Sequence, residues 1–204
     1  MLTPYSVFIV DDDAPMRDSL LMLLRGEGLR ARAFAGAADF LNALPDDRYA
    51  CVVTDVRMPG MEGPELIRRL RSLRGDAWPI IVITGHADVP LAVQTMKAGV
   101  TDFIEKPFDP DRILESVRGC MAALDVLNAE RTQQEETQSR LLTLTPRERQ
   151  VFDALIEGRS NKEIAQALDI SPRTVEIFRA KVMTKMQAGS LSVLVRMGLR
   201  AQGR

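Results

Sequence analysis

The chain has little of what most metal and redox chemistry depends on. It carries two cysteines, Cys51 and Cys120, and one histidine, His86, in 204 residues. Two thiols, neither in a metal-ligand spacing, cannot build a disulfide framework. A single imidazole excludes multi-histidine metal sites and argues against a histidine-based catalytic triad. Long apolar runs are missing too: none approaches the roughly 18 residues that a membrane-spanning helix needs, and no charged-then-apolar leader opens the chain. There is no internal repeat and no low-complexity tract. These absences predict a soluble, cytoplasmic protein with no membrane partner. What is present is ample apolar surface, 46% of residues, which places the chain among globular proteins rather than disordered ones. The length allows one large domain or two smaller ones.

The near-zero net charge of −1 hides an asymmetry. Residues 1–120 hold 14 basic against 18 acidic side chains (net −4), 121–140 hold 2 against 4 (net −2), and 141–204 hold 11 against 6 (net +5). An acidic front and a basic tail suggest two units with different partners. The positive charge of the tail favours nucleic acid only moderately, since a solvated charged surface explains it as well.

The front half alternates two patterns. Tyr5–Val10, Arg30–Phe34, Ala50–Thr54, Pro79–Thr84 and Asp102–Ile104 are short runs that read as strands, the second of them the weakest. Between and after them, Pro15–Arg25, Ala37–Leu44, Glu62–Arg71, Val89–Ala98 and Asp109–Ala123 show helical spacing, as in Leu66, Ile67 and Leu70. Five strands interleaved with five helices predict an α/β fold, a doubly wound five-stranded parallel sheet covered on both faces. Val126–Leu141 contains NAERTQQEETQSR, without a large apolar residue, and reads as an exposed helical linker. From Leu142 the pattern is all helical. Thr145-Pro-Arg-Glu is a capping signal, Gly158 stops that helix, and Ser160 and Ser171 begin two more. Gly189-Ser190 precedes a fourth.

Polar residues gather where the strands end. Asp11, Asp12 and Asp13 follow the first strand, Asp55 ends the third, Thr84 ends the fourth, and Lys106-Pro107 follows the fifth. In a doubly wound sheet these positions share one edge. Carboxylates held together repel and are tolerated when a cation neutralises them. Oxygen donors without histidine select a hard ion, Mg²⁺ over zinc, and a lysine on the same edge could hold a phosphoryl group. Each piece alone is weak, but the conjunction in this order is specific.

At these residues the sequence resembles the receiver domain of bacterial two-component response regulators, and most closely the FixJ type. The resemblance rests on Val10-Asp-Asp-Asp, Asp55-Val-Arg-Met-Pro-Gly, Thr84-Gly-His, Met96-Lys-Ala-Gly and Asp102-Phe-Ile-Glu-Lys-Pro-Phe108. It implies that Asp55 is the phosphoacceptor for a sensor histidine kinase. Asp12 and Asp55 would then ligate Mg²⁺ directly, Asp11 through water, and the Arg57 carbonyl would complete the site. Lys106 would pair with the phosphoryl group and Thr84 would hydrogen-bond it. Phe103 matches the aromatic residue that moves with Thr84 in the family, although a plain core phenylalanine reads the same way. His86 receives no catalytic role, and Ala87 stands where the family usually has glycine.

In the tail, Lys162–Leu168 and Pro172–Gln187 form a helix-turn-helix pattern. Val175, Phe178, Val182 and Met186 make its inward stripe, leaving Arg173, Glu176, Ile177, Ala180, Lys181 and Thr184 on the face that fits a major groove. Arg179, Lys181 and Lys185, with the amides near Asn161 and Lys162, suit phosphates. Leu144-Thr-Pro-Arg-Glu-Arg, Gly158-Arg-Ser-Asn-Lys-Glu-Ile-Ala and Ile170-Ser-Pro-Arg-Thr-Val-Glu resemble the LuxR-type DNA-binding domain, whose third helix enters the groove. Two departures stand out: Glu176 where many relatives have lysine, and Phe178 where many have histidine.

Together the resemblances imply a receiver domain (1–124), a helical linker (125–141) and an all-α, four-helix LuxR-type helix-turn-helix domain (142–204), with Thr174 and Lys185 also at the DNA. The expected protein is no enzyme beyond its own phosphoryl transfer and dephosphorylation. Phosphorylated, it would form a homodimer through about Val89–Ala98 and Thr101–Ile104, bind paired half-sites on double-stranded DNA and act, most simply as an activator, on RNA polymerase. An aspartyl-phosphate phosphohydrolase shares the Asp, Mg²⁺ and Lys logic, but it wants an acid two residues beyond the nucleophile, where Arg57 stands. A flavodoxin-like nucleotide module would need a Gly-rich or hydroxyl-rich loop after the first strand, where three aspartates stand instead. A DNA binder with a decayed receiver is disfavoured because every pocket position is filled.

Overall fold

The computed structural model describes residues 4–85 and 89–201, with backbone alone for 89–91. His86 and Ala87 lie outside the described residues. Two compact units divide between Leu127 and Asn128.

In the first unit, strands β1 (Ser6–Val10), β2 (Arg30–Phe34), β3 (Ala50–Asp55), β4 (Ile80–Thr84) and β5 (Asp102–Glu105) alternate with helices α1 (Ala14–Gly26), α2 (Ala37–Ala43), α3 (Gly63–Arg74), α4 (Val89–Lys97) and α5 (Pro110–Leu142). All strand pairs are parallel, in the order β2-β1-β3-β4-β5. Every residue of β1, β3 and β4 is buried, because helices cover both faces. That is why these strands read as unbroken apolar runs rather than as alternation. At the edge, β2 exposes Arg30 and Arg32 on either side of a buried Ala31, which accounts for its weak signal.

The two-residue period of the strands sorts the core into two layers. Val7, Ile9, Cys51, Val53, Ile81 and Ile83 pack with Leu20, Leu24, Ile113 and Val117. Phe8, Val10, Val52, Ile80 and Val82 pack with Phe40, Leu66, Ile67, Leu70 and Trp78. Trp78 is wholly buried, 5.2 Å from the Phe8 ring, and its Nε1 donates to the Asp47 carbonyl at 3.0 Å. From β1 the sheet runs to β2 on one side and to β3, β4 and β5 on the other. The chain order therefore reverses beside β1 and β3, and their carboxyl ends border a crevice.

The second unit contains the end of α5 and helices α6 (Pro146–Ile156), α7 (Asn161–Leu168), α8 (Pro172–Met186) and α9 (Leu191–Ala201). Local chemistry sets three of the starts. Thr145 and Glu148 close a capping box at α6, Ser160 and Glu163 do the same at α7, and the Ser171 hydroxyl accepts from the Thr174 amide at α8. Each such cap satisfies an amide that the helix itself leaves without a partner. Val151, Phe152, Leu155, Ile164, Val175, Val182, Met186 and Leu194 form the core. A Cβ at Gly198 would lie 2.5 Å from Ile156 Cγ2 and 3.1 Å from Phe152 Cζ, so glycine is what lets α9 approach α6 this closely.

The segment read from sequence as a linker takes a different place. It is helical, as the continuation of α5, but from Asn128 onward it belongs to the second unit. Thr137 and Leu141 are buried, and Arg200 Nη1 donates to Gln133 Oε1 at 2.6 Å. Most of the stretch is exposed, as its polar composition predicts; the buried Thr137 hydroxyl is satisfied by the Gln133 carbonyl at 2.8 Å. Among the described residues, no helix is long and apolar enough to cross a membrane.

Candidate functional site

The register of β1 against β3, with Val10 opposite Thr54, carries Asp11, which follows β1, and Asp55, which ends β3, to the same point. There the carboxylate oxygens of Asp11, Asp12 and Asp55 all lie within 4.8 Å of one another. Asp11 is fully buried, Asp55 is 9% exposed and Asp12 faces solvent. Lys106, immediately after β5, reaches in from the far side. Its Nζ lies 2.6 Å from Asp55 Oδ2 and 2.9 Å from Asp11 Oδ2. The remaining oxygens are held by backbone: Arg57 N–H donates to Asp55 Oδ1 at 3.1 Å, and Asp13 N–H to Asp11 Oδ1 at 2.8 Å.

Burial pushes the Asp11 carboxyl above the ordinary range, and the bonds from Lys106 and the Asp13 amide offset this only in part. Burial also works against the charge on Lys106. The hydrogen bonds and charges of Asp55 and Asp11 together outweigh it, and the ammonium is held above its ordinary pKa. Among the described residues, Lys106 is paired with two of the three carboxylates, and a cluster of this kind is tolerated when a further cation neutralises it. An all-oxygen donor set of this compactness fits a hard divalent ion such as Mg²⁺.

Thr84 is buried at the end of β4, and its carbonyl accepts from the Lys106 amide at 2.7 Å. Phe103 stands opposite Val82 in the β4–β5 register, so it shares a sheet face with Thr84, and it is half-buried. The Lys106–Pro107 peptide bond is cis.

Two supports of this pocket were not legible in the sequence. Arg17, from α1, donates to the Asp11 carbonyl at 2.7 Å. Gly63 opens α3 directly against the loop that follows Asp55: its N–H donates to the Val56 carbonyl at 2.8 Å, and a Cβ there would lie 2.8 Å from Val56 Cα and 2.9 Å from the Asp55 carbonyl oxygen. The only hint in the sequence is a glycine near a turn, which does not say what approaches it.

In the second unit α8 buries Val175, Val182 and Met186, half-buries Phe178, and exposes Arg173, Glu176, Ile177, Ala180, Lys181 and Thr184. Lys162 is exposed at the start of α7, and Thr174 is half-buried with its hydroxyl against that of Ser171. Asn161 and Arg179 are brought together, Arg179 Nη1 donating to Asn161 Oδ1 at 3.3 Å, which ties the start of α7 to the middle of α8. Lys185 is placed differently from the other basic residues. Its Nζ lies 2.6 Å from the nearly buried Glu148 carboxylate and donates to the Thr143 carbonyl at 3.0 Å. Lys185 and the Thr145 amide hold the Glu148 carboxyl down at about 2. This ion pair joins the end of α8 to the start of α6.

Residues 7–118 match the response regulator receiver domain, and residues 142–198 match the luxR family of bacterial regulatory proteins. The transcriptional regulatory protein FixJ of Bradyrhizobium diazoefficiens is 48% identical over 201 residues, which cover 98% of this chain and 98% of that protein. Among solved structures, full-length FixJ from B. japonicum is 47% identical with 99% of each chain covered and a TM-score of 0.60. The response regulator StyR is 36% identical, with 96% of this chain and 98% of its own covered and a TM-score of 0.81.

Proposed function

Because this chain belongs to the response regulators that join a receiver domain to a LuxR-family DNA-binding domain, we propose that Asp55 accepts a phosphoryl group from a sensor histidine kinase and that the phosphorylated chain dimerises and regulates transcription from DNA. The placement of Asp55 carries this reading. It ends a buried central strand, and its carboxylate is aimed by the Arg57 amide and the Lys106 ammonium. In the transfer, an Asp55 oxygen bonds to phosphorus as the phosphorus–nitrogen bond of the kinase phosphohistidine breaks, and the imidazole keeps the electron pair. Water later cleaves the acyl phosphate and restores the carboxylate.

Asp11, Asp12, Asp55 and the Arg57 carbonyl would hold Mg²⁺, which when bound supplies positive charge opposite the phosphoryl oxygens. Lys106 exchanges its bond to Asp55 for one to the phosphoryl group. That group brings roughly two negative charges and strong acceptors, enough to draw the Thr84 hydroxyl toward it and open space for Phe103. The dimer forms on α4 and β5, where Val93 and Met96 are exposed. Two copies of α8 then enter paired half-sites, with Arg173, Thr174, Glu176, Ile177, Ala180 and Lys181 toward the groove and Asn161, Lys162 and Arg179 near phosphates. RNA polymerase is the downstream partner.

Incubation with a phosphorylated histidine kinase domain, or with a small-molecule phosphodonor and Mg²⁺, should place one phosphoryl group on the protein and none on Asp55→Asn. Stoichiometric labelling of the variant would refute the assignment of the acceptor.

A further inference from the structure

We infer that Ile177 is a specificity-determining residue that reads the 5-methyl group of a thymine, and that each half-site of the operator carries a thymine opposite it. This inference rests on the DNA-binding reading of α8 given above.

Ile177 is 52% exposed on a helix that has an apolar core available to it, and Val175, Val182 and Met186 already fill that core from the opposite face. The exposed face around it is polar or small. Arg173 lies one turn before it, Lys181 one turn after it, and Glu176 beside it. Ala180 has little reach, and the Thr184 hydroxyl is turned back onto the Ala180 carbonyl at 3.0 Å. The Lys181 ammonium lies 5.8 Å from the centroid of the Phe178 ring, a half-buried residue of the same helix. The branched side chain of Ile177 is therefore the one large apolar feature of the groove-facing surface.

In the major groove, guanine, adenine and cytosine present hydrogen-bonding atoms, while thymine adds a methyl group to its single acceptor. An aliphatic side chain pressed against a polar edge would leave a donor or acceptor desolvated without a partner, which is costly. Against a methyl group it buries apolar surface on both sides. Neighbouring Glu176 is an acceptor suited to a cytosine amino group. Adjacent residues thus read different chemistry, and Ile177 contributes the apolar part.

Duplexes selected from a random pool by the full-length protein supply the test. Each thymine of the selected half-site is replaced in turn by deoxyuridine, which lacks only the methyl group. One position per half-site should lose about fourfold in affinity, the worth of one buried methyl. Ile177→Ala should bind more weakly overall and show no difference between thymine and deoxyuridine at that position, with an unchanged thermal midpoint because the side chain is exposed. Indifference of the unaltered protein to every replacement, or a full penalty retained by Ile177→Ala, would overturn the inference. Failure to select any duplex would instead remove the DNA-binding reading, and this inference with it.

Discussion

Two lysines of this chain sit on carboxylates, and their surroundings give them different uses. Lys106 bridges Asp11 and Asp55 in a pocket of three carboxylates, and under the proposed function its bond to Asp55 passes to the phosphoryl group. Lys185 instead closes a complete set: Glu148 Oε2 accepts from Lys185 and from the Thr145 amide, and the Glu148 amide is capped by the Thr145 hydroxyl. The Glu148 carboxyl, held at about 2 against an ordinary 4.5, is depressed by folding. Its contribution to stability is complete above the ordinary value and is lost as the pH falls from there toward 2. Glu148→Gln should therefore lower the thermal midpoint of the second unit near neutral pH, and the gap to the unaltered protein should close between about pH 4.5 and pH 2. A gap that is constant with pH would show that the carboxylate charge is not what holds this corner. From its helical position alone, Lys185 reads as a contact to DNA phosphates. Its partner is 37 residues away, a distance over which helical periodicity says nothing.

At the scale of elements, the caps and strands were readable because their causes are local. Thr145, Ser160 and Ser171 start their helices with bonds to residues three positions on. Each central strand announces its burial in its own composition. The start of α3 depends on something else, the contact of Gly63 with the backbone of Asp55 and Val56. Overpacking against backbone costs about 1–3 kcal/mol because neither side has a rotamer to change. Gly63→Ala should destabilise the first unit by about that amount in urea unfolding. It should also slow phosphoryl uptake, because the helix start and the Asp55 loop must separate. Full stability together with full uptake would mean that the loop can shift at no cost, and the close approach would lose its significance.

For the whole molecule, the acidic front and the basic tail correspond to units with different tasks, and dimerisation is the step proposed to link them. Beryllofluoride with Mg²⁺ mimics the aspartyl phosphoryl group. It should shift the full-length protein from monomer to dimer in sedimentation and leave Asp55→Asn monomeric. Dimerisation of that variant under the same conditions would detach assembly from Asp55. Two joined tails should also steepen the salt dependence of DNA binding, since each phosphate contact adds about 0.9 to the slope of log K against log salt.

The sequence by itself determined the alternation of strands and helices, the two-unit organisation, the caps of the tail helices and the short set of polar residues at the strand ends. All of these arise from forces acting within a few residues or from a period of burial written along one element. Tertiary structure alone decided which oxygen of Asp55 meets Lys106, that Arg17 and Gly63 brace the pocket, that Lys185 is consumed by Glu148, and that the polar end of α5 from Asn128 joins the second unit. Those outcomes depend on groups far apart in the chain whose pairing is set by the register of β1 on β3 and by the packing of α6 against α8. Neither leaves a periodic trace in the sequence.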